Sequence, residues 1–357
     1  MNNTNKISFK GSDFSIGIDT HLKNWKVTIR LNAIELKTFS MNPSPIELLN
    51  YLKKHYPDGI YHIVYEAGFS GFWTLRKFKE LGIDCIVVNP ADVPTSNKEK
   101  INKNDPIDSR KLARELENKS LKGIYVPDSF HEELRNLMRL RYRIVQNLTR
   151  IKNRIKGLLY TQGITIPEQF SGNSSWSNPF IKWLKDIKLT TTAGDFSLQN
   201  MIIQLQELRE HNKNVLKELR KQANQKDIAT VIKAILSVPG VGFISAMTLY
   251  TEIIDMRRFS NIDETCAYVG LIPSVTSSDE TIYTNHMSFR QNKFLRAILI
   301  EAAWMAIRVD PAMTLKYREL TRRMKSQYAI IRIAKKLLKR IRHVWLYKEQ
   351  YVFALVA

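Results

Sequence analysis

The sequence predicts a mixed fold, with an α/β domain first and helical regions after it. Between residues 14 and 92, short runs of apolar and β-branched residues alternate with amphipathic stretches, a pattern typical of strands and helices in one sheet domain. Beyond residue 130, apolar residues recur at helical spacing over long distances. We therefore expect an α/β class N-terminal domain followed by all-α regions.

The predicted elements of the first domain follow one another closely. In chain order they are a hairpin of Phe14–Asp19 and Trp25–Leu31, a helix Ile46–His55, a strand Tyr61–Glu66, a helix Phe72–Leu81 and a strand Ile83–Val88. A polar stretch, residues 95–104, is predicted to be a mobile loop before the next helix. This order indicates a sheet of the RNase H or RuvC type, with functional residues at strand ends.

Four acidic residues are the strongest candidates for chemistry. Asp19 and Glu66 each end a predicted strand, while Asp105 and Asp108 lie three residues apart at the start of a predicted helix and so share one face. Four clustered carboxylates repel one another unless a cation compensates them. Oxygen ligands suit Mg²⁺ or Mn²⁺, and two such ions about 4 Å apart can clamp a phosphodiester during displacement.

Each acid also has a structural interpretation. An acid that follows a strand is commonly a solvated turn residue, which applies to Asp19 and Glu66 taken singly. Asp105 precedes Pro106 and fits a helix N-cap, and Asp108 then falls in the first turn, where a negative charge favours the helix dipole. The two interpretations are compatible, and the ordered set of four favours the metal site.

The charge balance points to a polyanionic partner. Lys and Arg number 55 against 34 Asp and Glu, a net charge of +21, which favours nucleic acid over an anionic membrane surface. The apolar stretch Ala297–Ile307 is interrupted by Glu301 and is too short to span a bilayer, so no membrane partner is predicted. Cys85 and Cys266 form no disulfide framework, and Cys85 is expected in a buried strand, so we expect a reducing cytoplasm.

A long basic helix is predicted over residues 130–160. Its apolar residues keep a coiled-coil seam, through Leu137, Ile144, Leu148, Ile151, Ile155 and Leu158. No acid occurs between Leu134 and Lys156, whereas a solvated coiled coil mixes both signs. We therefore predict nucleic-acid contacts on this helix, at Arg139, Arg143, Arg150, Lys152 and Arg154.

Residues 161–195 are predicted to be irregular. After them a second seam runs through Met201, Leu205, Leu208, Val215 and Leu219. The two seams predict either an antiparallel helical hairpin or a dimerising pair of helices.

Two further segments are predicted from the C-terminal part. Pro239-Gly-Val-Gly242 resembles a helix-hairpin-helix turn, in which Gly240 and Gly242 would let the backbone approach a phosphate; the alternative is a plain connection between helices. A last helix, Tyr328–Leu346, has an apolar face and a basic outer face. Core packing explains that helix slightly better than a dedicated nucleic-acid role.

At these residues the chain resembles the IS110 type of insertion-sequence transposases and the Piv-type DNA invertases, which are DEDD recombinases, some of them guided by a bridge RNA. Gly17–Ile29 resembles the opening motif, with Asp19 as its first acid, and Tyr65–Gly68 resembles the second, with Glu66. Asn104–Ala113 resembles the third, with Asp105 and Asp108. Together these motifs are specific, and the resemblance extends over nearly the whole chain.

A second block, residues 235–308, resembles the C-terminal part of that family. After Pro273 the family carries a nucleophilic serine, which matches Ser278 by position; Asp279 replaces the usual glycine, so Ser277 is an alternative. Met287–Arg296 resembles a further family motif. Arg290, Lys293 and Arg296 follow the serines closely and are candidates for phosphate contacts.

The resemblance also implies a mechanism and partners. A serine hydroxyl is a weak nucleophile that needs activation. In the family it attacks DNA and forms a phosphoserine link, while the acidic domain holds the metal ions, so the site is composite. The implied partners are donor and target DNA, a structured guide RNA, and further copies of the chain in a homodimer or tetramer.

Three domains are predicted: residues 1–125 with the acids, residues 126–227 as a basic helical middle, and residues 228–357 with the serine. Two other functions remain open. A metal-dependent junction-resolving nuclease would need the four acids but not Ser278, and a non-catalytic nucleic-acid-binding protein would need neither.

Overall fold

The computed structural model describes residues 8–94, 105–172, 175–278, 281–287 and 292–353, with the backbone alone for 105–107, 273–278 and 281–287. Contacts divide the chain into two compact units, Met1–Val126 and Pro127–Ala357. None of the helices in the described parts combines the length and apolarity needed to cross a membrane.

Unit one is built on a five-stranded sheet with the spatial order β3-β2-β1-β4-β5. Its strands are β1 (Asp13–Thr20), β2 (Trp25–Leu31), β3 (Ile34–Met41), β4 (Ile60–Glu66) and β5 (Asp84–Val88). The first three are antiparallel, and β4 runs parallel to both β1 and β5. This arrangement is consistent with the RNase H-like class expected from the sequence.

Helices pack against the sheet through their apolar side chains. Helix α1 (Pro45–His55) begins at Ser44, whose side chain accepts from the Glu47 amide, and it buries Leu48, Leu49 and Leu52. Helix α2 is Trp73–Glu80. The sequence predicted the positions of both helices, of the two hairpin strands, and of β4 and β5. As expected, Cys85 is buried in β5.

Helix α3 (Asp105–Glu117) lies directly against the central strand at Gly17. A Cβ placed on Gly17 would come within 2.2 Å of the Ser109 carbonyl oxygen and 2.5 Å of the Ala113 nitrogen. The hydroxyls of Ser109 and Thr28 are 2.9 Å apart and join α3 to β2. The missing side chain of one glycine thus sets the position of the helix that carries two of the predicted acids.

Strand β3 was not predicted. It is an edge strand, and most of its residues are exposed or half-exposed, so the apolar residues Ile34 and Leu36 do not mark a buried face. The sequence signal for a strand depends on such a face.

In its described residues, unit two is helical apart from one hairpin. Its helices are α4 (Ser129–Thr161), α5 (Asn178–Asp186), α6 (Thr192–Ala223), α7 (Lys226–Leu236), α8 (Phe243–Ile253), α9 (Ile262–Val269), α10 (Lys293–Val309), α11 (Pro311–Thr321) and α12 (Ser326–Tyr347). Strands β6 (Pro273–Ser278) and β7 (Thr281–Met287) pair antiparallel. Helix α5 corrects the expectation of an irregular segment: Ser177 caps it, and it buries Phe180, Ile181 and Leu184.

The long helices α4 and α6 pack against each other in antiparallel orientation within one chain. Near the start of α4, Leu134 and Met138 share a core with Leu219 and Ala223 of α6. Near its end the partners come from the start of α6, and this second core includes Ile151, Ile155, Leu159, Leu198 and Ile202. Helix α4 therefore belongs to two separate hydrophobic cores, one at each end.

The turn between α7 and α8 contains the predicted glycine pair, whose two members have different surroundings. Gly240 has φ +88°, and a Cβ there would come within 2.6 Å of the Ala302 oxygen and the Ala306 nitrogen in α10. Gly242 begins α8 and has open space where a side chain would be. The conformation and contacts of Gly240 are explained by packing within the protein, and a phosphate role for the turn remains a prediction.

We predict that Gly17→Ala destabilises unit one by about 3 kcal/mol, because the added methyl group overlaps backbone atoms of α3 that cannot move independently of the helix. Gly68→Ala is the matched control, since a Cβ there meets nothing within 4 Å. It should change the free energy of unfolding by less than about 0.5 kcal/mol. Urea denaturation measures both, and equal losses would show that the helix tolerates a side chain at residue 17.

Candidate active site and nucleic-acid interface

Two of the predicted acids lie at the same end of adjacent parallel strands. The register of β1 and β4 pairs Ile18 with Tyr65, and the next residue on each strand is Asp19 and Glu66. Parallel strands bring their carboxyl ends to one edge of the sheet, so the two acids flank the same position. The sequence predicted both strand ends, and the parallel pairing is what makes them neighbours.

The other two acids belong to the first turn of α3. Asp108 precedes Ser109, the residue that contacts Gly17, and its side chain is 31% exposed. Asp105 begins the helix, and its side chain lies outside the described residues. Gly17 is two residues before Asp19 on β1. Because α3 packs against β1 at Gly17, the first turns of α3 lie against the strand that carries Asp19.

Positively charged or ionisable groups accompany two of these carboxylates. The Lys111 ammonium nitrogen lies 3.3 Å from Asp108 Oδ1, and the Lys111 side chain is only 9% exposed. His21 Nε2 lies 3.0 Å from Asp19 Oδ2. These contacts offset part of the repulsion that a group of acids creates.

The donor chemistry fits a hard divalent cation. Asp19, Glu66 and Asp108 offer carboxylate oxygens, the ligands that Mg²⁺ and Mn²⁺ prefer. Among side chains in the described parts, no three Asp, Glu, His or Cys residues form one metal-binding group. The fourth predicted ligand, Asp105, has no described side chain, so the metal site itself remains a prediction.

The candidate nucleophiles are the last two residues of β6. The backbone pairs Ser277 with Ile282 and Ser278 with Thr281 across the hairpin. Their side chains, and residues 279–280, lie outside what the structure describes. No strand was predicted here from the sequence, because a short run of Ser and Thr lacks the apolar alternation of a half-buried strand.

The cations that follow the hairpin begin helix α10. Lys293 is its first residue, and Arg296 lies one turn further, so both are near the amino end, where backbone N–H groups favour anions. Asn292 caps the helix by accepting from the amides of Phe294 and Leu295. Arg290 lies outside the described residues.

A buried carboxylate that the sequence analysis missed holds this region together. The side chain of Glu252, at the end of α8, is 2% exposed, and its two oxygens accept from Arg139 Nε at 2.7 Å and Nη2 at 2.9 Å. Asn292 Nδ2 donates to the same carboxylate at 3.2 Å, and the Tyr268 hydroxyl donates to the Glu252 carbonyl at 3.0 Å. Glu252 thus connects α4 with the cap of α10.

The paired guanidinium changes the interpretation of Arg139. Its hydrogen bonds to Glu252 raise the pKa of Arg139 and leave fewer donors for a phosphate. Two neighbours also turn toward the protein: Arg135 donates to the Thr251 carbonyl, and partial burial lowers the pKa of Arg141. We therefore leave Arg139 out of the proposed nucleic-acid interface, although the sequence predicted it there.

The basic residues further along α4 remain candidates. Arg143, Arg150 and Arg154 are exposed. The ammonium groups of Lys152 and Lys156 lie 5.4 and 5.9 Å from the ring centre of Trp176. Partial burial, and then the nearby positive charges of Arg209 and Lys156, lower the pKa of Lys152.

Two family models match separate parts of the chain. The model for DEDD transposases of the IS110 type matches residues 16–162, which include all four acids. The model described as the transposase IS116/IS110/IS902 family matches residues 232–318, which include both candidate serines. The chain belongs to the IS110 family of transposases.

Individual relatives agree with the family assignment. Two Sinorhizobium fredii proteins named as transposases, y4qE and y4rJ, are 29% and 28% identical over 68% and 77% of this chain. The transposase for insertion sequence element IS1111A of Coxiella burnetii is 26% identical over 69% of the chain. The matched parts span 58%, 74% and 66% of those three relatives, so the match includes only part of each relative's length.

We predict that Arg139→Ala lowers the free energy of unfolding by about 2 kcal/mol, because it leaves the buried Glu252 carboxylate without its main partner. The half-exposed position of Arg139 keeps the loss below that of a fully buried pair. Arg143→Ala, four residues along the same helix and exposed, is the control and should cost less than about 0.5 kcal/mol.

A double variant separates the pair from its surroundings. With Glu252→Gln added, Arg139→Ala should cost clearly less than it does alone, because the carboxylate that needed it is gone. Chemical denaturation of the four proteins gives the coupling energy. A value near zero would mean that the two side chains are neighbours without energetic dependence.

Proposed function

We propose that this IS110-family protein cuts and rejoins DNA strands as the transposase of an insertion sequence. The observation that carries the proposal is the pairing of Asp19 and Glu66 at one edge of the sheet, with α3 fixed beside them through Gly17. The family assignment and the net charge of +21 support DNA as the substrate.

We assign metal binding to Asp19, Glu66, Asp105 and Asp108. When bound there, Mg²⁺ or Mn²⁺ would stabilise charge on the phosphate oxygens during displacement. Lys111 and His21 would have to share their carboxylates with the ion, or move away from them. The protein's own contribution is to hold the acids at fixed positions on a sheet edge and a helix, which are rigid elements.

We assign the nucleophile to Ser278. Its Oγ would lose the hydroxyl proton to a base, form a bond with the DNA phosphorus and displace a deoxyribose oxygen, which takes up a proton as it leaves. The resulting phosphoserine ester conserves the energy of the broken phosphodiester bond, so that the DNA strands can be rejoined. Lys293 and Arg296, near the amino end of α10, would balance negative charge on the phosphate.

The partners proposed beyond DNA are a structured guide RNA and further copies of the chain. Arg143, Arg150, Lys152 and Arg154 lie in a stretch of α4 that contains no acid, which suits this helix to the phosphate backbone of either nucleic acid. Phe196 and Ile203 on α6 are 72% and 52% exposed, which supports self-association into a dimer or tetramer.

The metal assignment predicts that Asp19→Asn abolishes strand exchange and weakens Mn²⁺ binding at least about tenfold, since it removes one charged ligand at nearly constant size. Asp13→Asn is the matched control, because Asp13 lies at the opposite end of the same strand. Calorimetric titration with Mn²⁺ gives binding without reference to activity. Retained strand exchange in Asp19→Asn would contradict the metal assignment.

The nucleophile assignment predicts a covalent protein–DNA adduct that survives denaturation, because a phosphoserine ester is a bond and not a contact. The adduct should disappear in Ser278→Ala and persist in Ser277→Ala, as seen on a denaturing gel with labelled DNA. Loss in Ser277→Ala alone would move the role by one residue. Normal cleavage by the double variant would indicate attack by water, as in a junction-resolving nuclease.

A further inference from the structure

Helix α12 carries a basic cleft that the proposed function does not use. Four residues spaced as one helix face, Lys336, Lys339, Arg340 and His343, line it together with Tyr351, and its volume is about 300 Å³. The opposite face of α12 is buried in the core through Ile333, Ala334, Leu337, Leu338 and Ile341. Packing therefore accounts for the apolar face and leaves the cleft side unexplained.

The chain after α12 folds back to form the other wall of the cleft. Lys348 ends the helix in the left-handed conformation, with φ 55°. Tyr351 is then anchored at three points: its amide donates to Ser237 Oγ at 2.7 Å, its hydroxyl donates to Asp310 Oδ2 at 3.4 Å, and its ring lies 5.0 Å from the Arg340 guanidinium. The cleft is thus a built feature with a fixed aromatic wall.

The positive charges of the cleft are only partly compensated. Arg340 is paired with Asp310, whose side chain is 2% exposed. In the parts of the chain that the structure describes, no carboxylate lies within 4.0 Å of the Lys336 or Lys339 ammonium group. Glu319 is near enough for Lys336 to contribute to its lowered pKa, but its main partner is Lys316. Lys336 and Lys339 therefore line the cleft without an ion-pair partner among the described residues.

Aromatic side chains continue the line of cations. The His343 ring lies 4.7 Å from the ring of Tyr347, which is 63% exposed, and Phe353 is 57% exposed beside Tyr351. From Lys336 to His343 the helix rises about 10 Å, so the cations form a line along the helix. Cations that follow a backbone and exposed rings on which bases stack are the two features of single-strand binding sites.

We propose that this cleft binds a single-stranded segment of nucleic acid, with the phosphodiester backbone on Lys336 and Lys339 and bases stacked on Tyr347 and Phe353. The inference goes beyond the proposed function and does not require it, because binding can be measured without cleavage. Strand-exchange chemistry exposes single-stranded DNA, and a structured RNA contains single-stranded loops, so either source has the required chemistry.

The experiment compares two double variants of the full-length protein that each remove two positive charges. Lys336→Gln/Lys339→Gln changes the cleft, and Arg322→Gln/Lys325→Gln removes exposed cations just before α12. The probes are fluorescein-labelled oligo(dT) and oligo(U) of about 20 nucleotides and a duplex of equal length, followed by anisotropy over a range of salt concentrations.

The cleft variant should bind both single strands about tenfold more weakly, and its slope of log K against log salt should fall by about 1.4, or 0.7 for each phosphate contact. The control variant should stay within about twofold of the native protein. Tyr347→Leu should weaken binding with an unchanged salt slope, because it removes stacking and no charge. Loss with only one of the two strands would assign the site to DNA or to RNA.

Three results would overturn the proposal. Equal weakening in both double variants would show that affinity depends on the net charge of the protein and not on the cleft. Native affinity in the cleft variant would show that the cleft does not bind the strand. An equal loss on the duplex would contradict the preference for single strands. None of these results depends on Asp19 or Ser278, so the proposed function would be unaffected.

Discussion

The arrangement of the acidic site depends on the close approach of α3 to the central strand at Gly17. No other residue type lacks the Cβ that would overlap the Ser109 carbonyl oxygen and the Ala113 nitrogen. The bond between the Ser109 and Thr28 hydroxyls then fixes the helix along its axis. The contact sets the position of α3, which carries Asp108, against β1, which carries Asp19, so a residue without a side chain determines how these two elements pack.

Unit two is organised by a different kind of constraint, a charge that must stay paired. Glu252 is buried and holds Arg139 of α4 and Asn292, which in turn caps α10. These partners belong to separate stretches of chain, and the carboxylate loses its main positive partner if Arg139 moves away. Helix α10, which starts with Lys293, is therefore positioned by contacts in the protein core and not by its exposed residues.

The sequence was sufficient where the signal was local and insufficient where it was not. Strand ends at Asp19 and Glu66, the long helix α4 and the start of α3 follow from periodicity and capping. Strand β3 was missed because an exposed edge has no buried face, and α5 because it is a short helix between Ser- and Thr-rich turns. The role of Glu252 could not be seen, since its partners Arg139 and Asn292 are 113 and 40 residues away in the sequence.

The length of helix α4 means that a small tilt at one end becomes a large displacement at the other. Its 33 residues form a rod about 50 Å long. One end is held in the core that contains Glu252's helix, and the other end is embedded in the separate aromatic core around Phe180. A tilt of about 5° at the first end would carry the second by about 4 Å over that length. A ligand that changed the angle of α4 near Arg139 would therefore also move the aromatic core that contains Trp176.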